Sequence, residues 1–408
     1  MRPQHIWVIA KKEIVSTLRD RRALLSNILI PLLLLPVIML GLPLLLGGLF
    51  ERETVTVTEV GVVGVENVPP ALRAALEAQN LSLVDVGDAT AAVQSDDVPV
   101  AIVVPPGFAA TIEAGDDAAL DLHAKSGNMR SELNVGKVQQ AVAAFQQSVV
   151  AERLGRVGLD PSVLQPVNVT MVDASSEAER GSGQLSWLIP FFIALWTLTG
   201  GQMTAIDATA GEKERGTLEV LLVSPVRRGE VVVGKFLATL TFGLSAAIMA
   251  IVGYLVGGAI MRGVFLPQMG EDAGEMIAIM GGQFNAGIGA IGLLLVSAVL
   301  LAAFVAALLL GISLFARSFK EAQSYIAPLS FLFVIPALVL QFKDLIGLGD
   351  GVYLIPVLNV LFYMDDVVKG VAQTDQMLIT WVTLTAATTV LLWFAYRNFK
   401  RENVIFRT

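Results

Sequence analysis

Long apolar stretches without a charge recur along the chain, at residues 23–50, 181–206, 236–261, 276–316, 322–342 and 376–396. About 20 helical residues cover the ~30 Å hydrocarbon core of a bilayer. Each of the six windows is long enough, and each predicts a transmembrane helix. The 276–316 window exceeds one plain helix. Gly281, Gly282, Gly287 and Gly289 crowd its start, so its helix is expected to begin near Asn285. A seventh window, 351–364, is too short to cross and contains Pro356 and Asn359. It predicts a re-entrant segment over about 351–370. The first window follows arginines, as in a signal peptide. Its apolar run is too long for one, and no small-residue cleavage pattern follows, so it reads as a retained span.

Between the first two windows the pattern changes. Residues 51–180 alternate or carry short Val-rich runs, which predict strands at 54–65, 81–86, 98–104, 120–124 and 167–172. Helices are expected at 69–79, from 105–108 onward, and at 130–156, where Leu133, Val138, Val142, Phe145 and Val149 recur at helical spacing. The fold class is therefore an α-helical integral membrane protein of six transmembrane helices, with an α/β domain at 51–180, carrying a mixed sheet, between helices 1 and 2.

Composition agrees with a bilayer as part of the solvent. Of 408 residues, 54% are hydrophobic and 16% charged, and mean hydropathy is +0.68. Ordinary globular chains carry about 25% charged residues. Lys and Arg sort by side. Segments 1–22, 207–235, 317–321 and 397–408 hold 17 basic and 9 acidic residues; the remainder holds 11 and 27. This places both termini in the cytoplasm, the α/β domain outside, and the chain in the cell membrane. The net charge of −8, with no basic run, argues against nucleic acid as a partner. Cysteine is absent, and His5 and His123 lie in unrelated contexts, so no metal or thiol chemistry is expected.

Two inner segments carry the functional signal. In residues 1–22, Ile6, Ile9, Ala10, Ile14, Val15 and Leu18 form a helical stripe, with Lys11, Lys12, Arg19, Arg21 and Arg22 mostly elsewhere and Trp7 suited to a headgroup boundary. This predicts an amphipathic helix in the inner interface plane. Residues 211–235 read GEKERGTLEVLLVSPVRRGEVVVGK. The charges Glu212, Lys213, Glu214 and Arg215 precede Gly216-Thr217, which can start a helix. Leu218, Leu221 and Leu222 then supply an apolar face, and Ser224-Pro225 stops it. A short helix of this kind between two spans can dock in a cytosolic partner's cleft and pass force to both. Gly229 to Lys235 matches G-x-x-x-x-G-K, but Phe236 stands where a P-loop needs Ser or Thr, and no buried strand precedes it. No cofactor is therefore expected in this chain. Among intramembrane polar residues, Thr199, Gln202 and Asn359 are candidates to line a pathway.

The 211–235 stretch resembles the ABC type-2 transporter permeases, in their sodium-exporter-like (NatB-like) branch. The residues that carry the likeness are Glu212, Glu214, Gly216, Thr217, Leu218, Glu219, Leu221, Leu222, Pro225, Gly234 and Lys235. The stretches AIVVPPGFAATIEAG (101–115) and YLIPVLNVLFYMDDVVKG (353–370) agree with it. The resemblance implies a permease subunit of an exporter, with ATP and Mg bound by a separate ABC ATPase subunit and a second permease protomer, as a homo- or heterodimer. Residues 1–22, with Trp7, Ile14 and Leu18, would be the elbow helix. The stretch of about 211–230 would be the coupling helix, with Leu222 as its apolar contact and Glu219 as its ionic one. Sodium or another small solute or drug would be the cargo. The alternative is a membrane subunit that relays ATP hydrolysis to its outer domain and carries no solute.

Overall fold

The computed structural model describes residues 1–38, 40, 41, 56–164, 174, 179, 186–265, 267 and 287–399. The chain divides into two compact units, Met1–Pro43 with Ala174–Thr408, and Leu44–Asp173. It opens with helix α1 (Pro3–Leu18), begun by Pro3 in the first turn, where its missing N–H costs nothing. The apolar α2 (Leu25–Ile38) follows and starts on a π-helical turn, Leu25–Leu29. The rest of the expected first span, residues 42–50, falls outside the described residues.

The second unit contains β1 (Thr58–Val63), α3 (Pro70–Ala78), β2 (Leu81–Asp85), α4 (Ala89–Gln94), β3 (Val100–Val103), α5 (Phe108–Ala114), β4 (Asp121–Ala124) and α6 (Met129–Arg156). The sheet order is β2-β1-β3-β4. β1 runs parallel to both neighbours, and β4 is antiparallel to β3, with Val100 opposite Ala124. On one face, Val60, Val62, Val100 and Ile102 pack with Leu72, Leu76, Phe108, Val138 and Phe145. On the other, Ala101 packs with Ala89, Val93 and Val98. Coverage on both faces is why Val100–Val103 reads as an unbroken apolar run. The pattern did not predict α4. Its start is held by Asp88, whose carboxylate accepts from the N–H groups of Thr90 at 2.8 Å and Ala91 at 3.0 Å. The strand expected at 167–172 lies outside the described residues.

The first unit continues with α7 (Leu188–Glu214), α8 (Thr217–Val223), α9 (Arg228–Val264), α10 (Ile288–Ser313), α11 (Phe319–Gln341), α12 (Leu358–Lys369) and α13 (Thr374–Phe399). Among the described residues, α7, α9, α10, α11 and α13 are the five helices long and apolar enough to cross a membrane. Their core includes Ile193, Leu198, Ile251, Leu301, Leu309, Phe333, Phe362 and Leu384. Two expected boundaries shift. The charge-free windows end the second span at Ile206 and begin the third at Phe236, but α7 runs on to Glu214 and α9 starts at Arg228. A charge-free window stops at the first ionisable side chain. Here those side chains are paired within the protein, so the helices continue through them.

The short α12 is buried from Asn359 to Val368. Its two carboxylates are both neutralised. Asp366 accepts from Lys343 and Tyr353. Asp365 lies 2.9 Å from Lys369 Nζ and accepts from Ser186 at 3.2 Å.

Candidate functional site at the junction of α1, α7, α8 and α9

The stretch from Asp207 to Arg228 turns the chain from one span into the next. α7 ends in a π-helical turn, Asp207–Gly211, followed by one turn of α-helix, Glu212–Glu214. Gly216 then adopts φ +68°, ψ +7°. This left-handed conformation is open to glycine at little cost and lets α8 leave in a new direction. Ser224, extended at ψ 157°, ends α8. Pro225 follows, and α9 begins with the Arg227 N–H donating to Glu230 Oε2 at 3.2 Å.

Each charge of the Glu-Lys-Glu-Arg run reaches a different neighbour. Lys213 donates to the carbonyls of Leu314 and, at 3.3 Å, Ala316, capping the C-terminal end of α10. Glu214 accepts the Phe319 N–H at 2.7 Å, which caps the start of α11. Arg215 pairs with Asp207 at 2.9 Å. Glu212, 2% exposed, is enclosed by Lys12 and Lys235. These side chains therefore brace the chain against its own helices. Glu212 in particular is not on a surface that a second protein could touch.

Glu212 belongs to a ring of four charges. Lys12 Nζ lies 3.1 Å from Glu13 Oε1 and donates to Glu212 Oε1. Lys235 Nζ lies 2.5 Å from Glu212 Oε2 and 3.4 Å from Glu13 Oε1. It also donates to the carbonyl of Ala208, within the π-turn, where the Glu212 N–H turns instead to Thr209 O. Glu13 and Lys235 are 4% and 2% exposed. Partial burial pulls the Lys12 pKa down, but the hydrogen bond to Glu212 and the two carboxylate charges outweigh it, leaving the ammonium above the ordinary lysine value. A second anchor lies five residues earlier on α9. Buried Glu230 accepts the Arg2 N–H at 2.6 Å and contacts His5 Nδ1 at 2.9 Å. Between the two, a Cβ at Gly234 would come within 2.8 Å of Ile9, so only glycine lets α1 lie this close to α9.

The inward face of α1 is Ile9, Ala10 and Glu13, all buried. Ile14 is half-buried, and Trp7, Val8 and Leu18 are exposed. Glu13 was not part of the predicted stripe, which counted apolar residues alone. Its signal was position, four residues after Ile9 and three after Ala10, on their face.

On α8 the apolar residues divide. Leu218 is buried with Ile9, Val231, Val232, Leu314, Ala395 and Phe399, and Leu221 packs against that cluster. The predicted outward leucine face is thus turned inward at these two positions, because they close the gap between α9, α10 and α13. Val220 and Val223, which the pattern did not single out, are 69% and 87% exposed. Thr217 donates from its hydroxyl to Glu212 O at 3.3 Å, and Pro225 is exposed. The side chains of Glu219 and Leu222 lie outside what the structure describes. Gly229 to Lys235, the P-loop look-alike, are continuous α-helix and form no phosphate-cradling loop.

The family model for "ABC-2 family transporter protein" matches residues 7–404. The chain belongs to the ABC-2 transporter family. It is also 28% identical over 395 residues, 97% of each chain, to the "ABC transporter permease protein NatB" of Bacillus subtilis (strain 168). This ABC-2 transporter is accordingly an ABC transporter membrane subunit, and Lys12, Glu13, Glu212 and Lys235 all lie inside the matched region. The pathway candidates are not gathered with them. Thr199 donates back to Leu195 O at 3.0 Å within α7, and Gln202 is half-buried one turn on. Asn359 is fully buried on α12 and donates to Thr383 at 2.6 Å. Thr199 and Asn359 thus have hydrogen-bond partners within the protein, as helix-joining polar groups do.

Proposed function

We propose that the chain is the transmembrane permease subunit of an ABC exporter, driven by ATP hydrolysis in a separate ATPase subunit that docks on α8. The observation that carries this reading is the braced α8. It is a seven-residue helix joining two spans through short turns. Four consecutive charges hold its approach, and Val220 and Val223 are left open on its outer side. Such an element moves both spans when it is pushed. ATP and Mg belong to the partner. A second permease protomer completes the unit, and residues 23–50 supply a sixth span. Both termini and α8 face the cytoplasm, and the α/β unit lies outside the cell membrane. The sodium-exporter-like resemblance makes sodium the first cargo to assay, followed by other small solutes and drugs.

The test is co-purification from native membranes. The wild-type chain should bring down an ATPase, and Val220→Asp/Val223→Asp at matched expression should bring down at least about tenfold less, the ratio that follows from losing roughly 1.4 kcal/mol of contact. Equal recovery overturns docking on α8.

A second reading is a relay to the outer unit without cargo. The internal satisfaction of Thr199 and Asn359 favours it, since a pathway needs polar groups free to meet a solute. Vesicles holding the complex separate the two readings by whether any solute moves with ATP.

A further inference from the structure

We propose that Glu13, Lys12, Glu212 and Lys235 form an electroneutral clasp that makes α1 move with the coupling segment, with Lys235 as its positioning residue. The inference rests on the proposed function for its role in transport, but not for its existence as a clasp. The four groups alternate in sign around a closed ring with contacts of 3.1, 2.5 and 3.4 Å and one Lys12–Glu212 hydrogen bond. They come from three separate parts of the chain: α1, the end of α7, and α9. Glu212 gives one oxygen to each lysine, whereas Glu13 presents a single oxygen to both.

The consequence is specific to charge. Two positive and two negative groups cancel, but Lys12 is 59% exposed and the other three are buried, so removal of Lys235 leaves two buried carboxylates against one half-solvated ammonium, whereas removal of Glu13 with it leaves a single ion pair. Lys235 is the central member because it is 2% exposed and also holds the Ala208 carbonyl in the π-turn of α7. A displacement of the Glu212–Glu214 turn, separated from α8 by two residues, therefore reaches α1 by two routes, through Lys235 to Glu13 and through the direct Lys12–Glu212 hydrogen bond. Together with the close contact at Gly234, this makes α1 part of the moving body rather than a passive float on the membrane.

The chain has no cysteine, so one introduced thiol reports cleanly. Ala10 is 1% exposed on the inward face of α1. In the purified full-length chain, Ala10→Cys should label slowly with a maleimide. Adding Lys235→Met should speed labelling by about tenfold or more, while the matched pair Glu13→Gln/Lys235→Met should label more slowly than Lys235→Met alone. A thiol at Val8, which is 65% exposed, should not respond. If Lys235→Met does not accumulate, Lys12→Met against Lys12→Met/Glu13→Gln makes the same comparison. Labelling of Lys235→Met within about twofold of the unmodified ring, or a matched pair that labels as fast as Lys235→Met, overturns the clasp.

The positioning role is read in the assembled complex. There ATP should change labelling of a cysteine at exposed Ser16 when the ring is intact, and the change should shrink at least about threefold when Lys235 is Met, the Lys12–Glu212 contact alone remaining. An ATP response undiminished without Lys235 overturns that role. The first arm needs no ATPase, so failure of the docking proposal leaves it decisive.

Discussion

A charge at Leu218 and a charge at Val223 should have different consequences, although both are apolar positions on one seven-residue helix. Leu218 is 2% exposed. Leu218→Asp loses about 1.5–3 kcal/mol of burial and adds the cost of an unpaired carboxylate in an apolar cluster. Its expected outcome is a clearly lower thermal midpoint and poor recovery of the purified chain. Val223→Asp, at an 87% exposed position, should leave the midpoint unchanged and reduce only ATPase recovery. Gly216 offers a second contrast. At φ +68° a β-branched side chain is an outlier, costing of order 1–3 kcal/mol, whereas asparagine is tolerated. Gly216→Val should misdirect α8 and reduce ATPase recovery, and Gly216→Asn should retain most of it. Loss on both substitutions would point to a contact at this position instead of a backbone requirement.

At the scale of elements, the Glu-Lys-Glu-Arg run works as a set of caps and pairs. Lys213 meets the last carbonyls of α10, and Glu214 meets the first N–H of α11. Lys213→Met should cost about 1–3 kcal/mol, the range for leaving buried or part-buried acceptors unpaired. Glu214→Gln keeps an acceptor and should cost less. Thermal midpoints of the two variants check the order, and a larger effect at Glu214 would contradict it. The same charges explain the misread span ends. Charge-free counting ended the helix at Ile206 because sequence alone cannot show that the next charges find partners. The α10 window fared better. Its glycine-rich start predicted an entry near Asn285, and the helix begins at Ile288. In the α/β unit, alternation at β1 and short apolar runs at β2–β4 located the strands, whereas α4, six residues long, is too short to show a period.

For the whole molecule, the membrane arrangement can be tested in intact cells. Cysteine at exposed Ser126 should react with an impermeant maleimide, and cysteine at Val223 should not. The reverse pattern would invert the proposed topology. The purified chain alone should hydrolyse no ATP, since its one G-x-x-x-x-G-K run is helix. Phosphate release from the isolated chain above that of a blank preparation would overturn this expectation.

What the sequence by itself determined was a matter of composition and period. Apolar windows of bilayer length predicted the spans, alternation and short Val-rich runs predicted strands, and the glycine and proline that bound α8 marked a short helix between two spans. These signals are local, because hydrogen-bond geometry and solvent act on neighbouring residues. Only the tertiary structure decided which face of α8 is free, and that Leu218 points inward while Val220 and Val223 do not. It also decided that Glu13, Glu212 and Lys235 meet, the first and last being 222 residues apart in sequence. Ion pairs between distant segments leave no period to read. A charged residue looks solvated until the fold supplies its opposite charge and removes the water around both.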